Sequence, residues 1–138
     1  MDDLIAFLKA RLDEDERAAV AAAKFGEAGF TGRPQWINQY GMVTDAEDHD
    51  WAIVDLNGMA IGGEPVYVQI ARHDPARTLR EVEAKRAILG RHEPAGKEPV
   101  SCLWCSEDEF LYRWPCPDVL SIAAIYSDHP DYRQEWKP

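Results

Sequence analysis

The residues with the clearest chemical potential lie in one stretch, HEPAGKEPVSCLWCSEDEFLYRWPC, residues 92–116. It holds all three cysteines of the chain, Cys102, Cys105 and Cys116, with His92 at its head. Any disulfide would leave one thiol over, and reducing compartments keep thiols unpaired, so a disulfide fits poorly. A C-x-x-C pair also occurs in redox proteins, but there it usually opens a helix within a thioredoxin-like βαβ pattern. Here Cys102 and Cys105 follow a loop containing Pro and Gly and precede the acidic SEDE, whose charge opposes thiolate formation. Three unconnected buried thiols are a further alternative, because free cysteine is a buried residue type.

Zinc accounts for more of the pattern. A C-x-x-C turn lets two thiolates approach one ion at tetrahedral angles. Cys116 stands directly before Pro117, where a helix is expected to open, and a helix N-terminus stabilises thiolate charge. The spacing is His-x9-Cys-x2-Cys-x10-Cys. A knuckle, a short strand-like FLYRW and a ligand at a helix start form the layout of a zinc-ribbon or treble-clef-like unit. The expected ligands are His92, Cys102, Cys105 and Cys116, with His129 as the other candidate for the fourth place. Four protein ligands fill a tetrahedral ion and leave no position for a catalytic water, so the expected zinc is structural.

These residues need elements to hold them. Asp2 or Asp3 can cap a first helix over about residues 3–24, in which Leu4, Ile5, Leu8 and Leu12 recur at helical spacing. After Leu12 the stripe becomes mostly alanine, and Gly26 is the expected stop. WINQYGMV reads as a strand with a bulge or bend at Gly41. WAIVDL and MAI flank Asn57-Gly58, a strong hairpin signal because both turn positions need positive φ. VYVQIA reads as a further strand, completing an antiparallel meander of three or four. A second helix opens at Asp74 as N-cap with Pro75 in the first helical position, carries Leu79, Val82 and Leu89 inward, pairs Glu81 with Lys85, and stops at Gly90. PDVLSIAAIYS reads as a short third helix, and Tyr132 and Trp136 are expected to anchor the tail.

Other chemistry is thinner. His73 beside Asp74, in RHDPAR, could take part in acid/base work together with the acidic turn Asp45, Glu47, Asp48 and Asp50, but no nucleophile or pocket is evident from the sequence. That turn lacks the glycine and the bidentate glutamate of a calcium loop. The glycines of LNGMAIGGEP do not follow a phosphate-loop pattern.

The chain has 138 residues, 46% apolar and 29% charged, the size and composition of one globular domain. Residues 1–90 would form a helix, meander and helix core, and 91–138 a zinc-stapled C-terminal unit. The net charge of −10 disfavours nucleic acid, which selects a basic face, and suits solubility or a basic protein partner. No segment approaches the ~20 apolar residues of a membrane span. The acidic N-terminus does not read as a secretory signal, and the cytoplasm is the expected location.

Three blocks, LIAFLKARLDEDE, HDPARTLREVEAKRAIL and YSDHPDYRQEW, resemble a family of small uncharacterised proteins from actinobacteria and their phages, a domain of unknown function. The resemblance implies a histidine after the second helix, then a C-x-x-C and a single cysteine ahead of the third, which agrees with the set His92, Cys102, Cys105 and Cys116. It implies a phage or mobile-element setting and carries no activity. The expectation is an α+β protein acting as a non-enzymatic, zinc-stabilised binding or accessory module, its partner a protein. The alternatives are an enzyme with a site near His73 and the acidic turn, or a thiol redox protein using Cys102 and Cys105.

Overall fold

A computed structural model of the chain describes residues 2–23, 36–39, 42–45, 52–54, 64–97, 100–106 and 113–138. Its elements are α1 (Asp2–Ala23), β1 (Trp36–Gln39), β2 (Met42–Asp45), β3 (Ala52–Val54), α2 (Glu64–Arg72), α3 (Pro75–Arg91), β4 (Pro94–Ala95), β5 (Ser101–Cys102), α4 (Pro117–Ala124) and a closing 3-10 turn (Gln134–Trp136). Helices thus combine with small antiparallel sheets. Among the described residues no helix is long and apolar enough to cross a membrane. The residues group into two compact units, Met1–Asp13 with Val82–Pro138, and Glu14–Glu81. The opening turns of α1 and the second half of α3 therefore group with the cysteine region.

The first unit is built on the expected helical stripe. Leu4, Leu8 and Leu12 of α1 are buried, and Phe7 joins them on the same face. They meet Val82 and Leu89 of α3, and Val119, Ile122 and Ala123 of α4, in one apolar cluster that also contains Cys102, Trp114, Cys116 and Trp136. The tail is anchored as expected. Trp136 is buried and Tyr132 packs at the cluster's edge, and the Phe7 ring contacts both, with centroids 4.9 and 6.2 Å away. Burying aromatic surface of this size dominates small cores.

The second unit differs more from the sequence pattern. β1 and β2 pair antiparallel from Trp36↔Asp45 to Gln39↔Met42, so WINQYGMV contains two strands; Tyr40 and Gly41, the site of the expected bend, lie outside the described residues. β3 pairs with β2, with a register slip between Val43 and Thr44, giving the order β1-β2-β3. The expected strand VYVQIA is instead helix α2. Its β-branched residues favour a strand only weakly, and context overrides such preferences. Pro65 in the first turn and Arg72 in the last both suit a helix. Asn57-Gly58 and MAI lie outside the described residues, as do Gly26 and FLY of FLYRW.

The start of α3 follows its expected chemistry. Asp74 Oδ1 accepts from the Arg77 backbone N–H at 2.6 Å, the N-cap bond, and Pro75 occupies the first helical position. Asp74 Oδ2 also accepts from the Trp36 N–H at 3.4 Å. Glu81 pairs with Arg77, one turn back, at 2.6 Å, where Lys85 was the expected partner. Lys85 lies over the Tyr126 ring. Gly90 does not stop the helix; α3 continues to Arg91, and His92 N–H still donates to Ile88 O at 3.1 Å. Glycine ends a helix where it turns left-handed, and among the described residues the left-handed glycine is Gly96, with φ 85°.

Candidate metal centre

Three local structures converge on one point. α3 delivers His92 just past its last turn. The short β4–β5 hairpin, with Pro94 opposite Cys102, then folds the chain back, and Leu103 N–H donates to Glu93 O at 2.8 Å. The positive φ of Gly96 permits that reversal. The knuckle itself is a turn closed by Ser106 N–H on Cys102 O at 3.2 Å, which brings Cys105 back over Cys102. The returning chain is tied to β5 by a bridge between Arg113 and Ser101 and by Trp114 N–H on Val100 O at 2.9 Å. It ends at Cys116, the N-cap residue of α4, with extended backbone at φ −77° and ψ 163°.

The result is a cluster of His92, Cys102, Cys105 and Cys116 whose ligand atoms all lie within 4.8 Å of one another. His92 Nδ1 stands 3.5 Å from Cys102 Sγ, 3.3 Å from Cys105 Sγ and 3.4 Å from Cys116 Sγ. A tetrahedral ion with nitrogen at roughly 2.0–2.1 Å and sulfur at roughly 2.3 Å has nitrogen–sulfur edges of about 3.5 Å. The four side chains can therefore hold a metal ion. His92, Cys102 and Cys116 are buried and Cys105 is half-buried, and all three cysteines are free thiols.

Without an ion, the thiols of Cys105 and Cys116 are held protonated. Burial, then the neighbouring thiols of Cys102 and Cys116, push Cys105 from 9.0 up to about 12. Burial also raises Cys116, partly offset by the Val119 backbone N–H in the first turn of α4. A reactive redox thiol needs the opposite shift, so the surroundings of Cys105 speak against nucleophilic chemistry. A cation reverses the balance, since a coordinated thiol gives up its proton.

Among the described residues, the cluster contains none of the other sequence candidates. His129 is outside the cluster: its Nδ1 accepts from Arg11 Nη1 at 3.0 Å and from the Asp131 backbone N–H at 3.1 Å, with the ring against Phe7. The ring thus contacts a buried arginine. His73 is exposed at the end of α2, and Asp45 pairs with Trp36 in the β1–β2 ladder. Glu47, Asp48 and Asp50 lie outside the described residues. One residue at the site escaped the sequence pattern: Asp118, in the first turn of α4, places Oδ2 3.7 Å from His92 Nε2. An acid in a first helical turn is too common to stand out by itself. No curated protein and no solved structure matches the chain. The model of a family of unknown function, DUF6221, matches residues 1–138, and the chain belongs to that family.

Proposed function

We propose that His92, Cys102, Cys105 and Cys116 bind one structural zinc ion, and that the protein is a non-enzymatic binding or accessory module for a protein partner. The supporting observation is the set of three nearly equal distances from His92 Nδ1 to the thiol sulfurs. Soft thiolates with one imidazole in tetrahedral array select zinc over hard cations. The ion would supply no chemistry to a substrate, since protein atoms fill every position. It would join α3, the β4–β5 knuckle and the start of α4, in the manner of a zinc-ribbon or treble-clef-like unit.

The partner reading draws on the knuckle tip. The two residues between the paired cysteines, Leu103 and Trp104, are 60% and 61% exposed. A C-x-x-C turn directs its ligands inward and its spacer residues outward, and tryptophan is enriched where proteins meet. Elemental analysis of purified protein tests the metal: one zinc per chain is expected, lost in Cys116→Ser, and a metal-free wild type would overturn the reading. Trp104→Ala tests the surface. It should keep the zinc and lose a partner that cross-links to wild type; a partner retained in full would place the interface elsewhere.

A further inference from the structure

We infer that Asp118 is a positioning residue for the metal centre, its carboxylate holding the outer nitrogen of His92 so that the inner one faces the three thiols. The inference rests on the metal reading and extends it to a residue that is not a ligand. An imidazole has two nitrogens, and a half-turn of the ring about Cβ–Cγ would put the carbon Cδ2 where Nδ1 stands and carry Nδ1 away from the thiols. In this structure Nδ1 lies 3.3–3.5 Å from all three sulfurs, and Nε2 lies 3.7 Å from Asp118 Oδ2. The separation is longer than a hydrogen bond, and the Asp118 carboxylate faces Nε2 across it. A carboxylate there favours the tautomer with its proton on Nε2, which leaves the Nδ1 lone pair free for an ion. It also makes that lone pair a stronger donor.

The chain places this carboxylate economically. Cys116 caps α4 and Asp118 sits two residues later in its first turn, so one helix start delivers both a ligand and the group that orients another ligand. His92 is buried, whereas the Asp118 side chain is 61% exposed. The carboxylate thus reaches the ring from the solvent side.

The simpler role for Asp118 is to meet the positive end of the α4 dipole. Chelator competition for zinc separates the two roles, using wild type, Asp118→Ala and the near-isosteric Asp118→Asn. Positioning predicts zinc affinity lowered by about 10–100-fold in Asp118→Ala and by less in Asp118→Asn, which keeps an acceptor oxygen. It also predicts an unchanged cobalt absorption spectrum, because the ligands are the same, and a shifted ¹⁵N resonance of His92 Nε2 in the zinc form. A dipole role alone predicts equal zinc affinity and a lowered melting temperature of the metal-free protein. Wild type that binds zinc with an affinity Asp118→Ala matches within twofold overturns this inference and leaves the metal reading standing. Wild type that binds neither zinc nor cobalt overturns both.

Discussion

Cys105 differs from its two companions in its surroundings. Cys102 and Cys116 are buried in the apolar cluster, and Cys105 is half-buried on the knuckle, yet its thiol is pushed up to about 12. The sign of the resulting pH dependence follows directly. The folded, metal-free chain holds this proton more tightly than the unfolded chain, so the contribution is fully present below pH 9.0 and is lost as pH rises toward about 12. Metal-stripped protein should therefore lose urea stability across that window more steeply than zinc-loaded protein, whose thiols have already given up their protons. Parallel losses in the two forms would exclude proton retention by Cys105 as the cause. The same protons oppose zinc uptake, so apparent affinity should rise with pH below that window. The cluster was legible in the sequence because C-x-x-C spacing and a cysteine directly before Pro117 are local signals. His129 could not be separated from His92 that way, since its occupation by Arg11 depends on α1, far away in the chain.

At the scale of elements, capping chemistry read well and intrinsic preference read badly. Asp74-Pro75 marked the start of α3 because the N-cap bond is made within four residues. VYVQIA misled because strand preference depends on the surface a segment packs against. The length of α3 turns on Gly90, which stays helical inside its last turn. A Cβ built at Gly90 meets no atom within 4 Å. Gly90→Ala should therefore stabilise the protein by about 0.5–1 kcal/mol, through a less flexible unfolded chain and better helix preference, read as a higher urea midpoint. A destabilised variant would mean that this turn needs glycine for a reason other than space. The benefit should reach the metal centre too, because His92 follows directly on this turn.

At the scale of the molecule, the candidate centre lies in a unit assembled from both ends of the sequence, Met1–Asp13 and Val82–Pro138. Cys102 and Cys116 belong to the same apolar cluster as Leu4, Leu8 and Leu12. That grouping was not visible in advance, because nothing local in the first helix says where its leucines dock. On the proposed zinc reading, losing the ion should loosen this cluster as well as the knuckle. Zinc binding is worth on the order of 10–16 kcal/mol in peptides that fold only around the ion, and part of that would appear here beside an existing core. Adding a chelator should lower amide-exchange protection across Met1–Asp13 and Val82–Pro138, not in residues 92–116 alone. Loss confined to 92–116 would show the cluster standing without its ion. The placement of tryptophan offers one more handle. Trp104 meets water beside Cys105, while Trp114 and Trp136 are buried. Of the three tryptophans in this unit, the one exposed beside the centre is Trp104, and cobalt entering the cluster should dim its emission in step with occupancy.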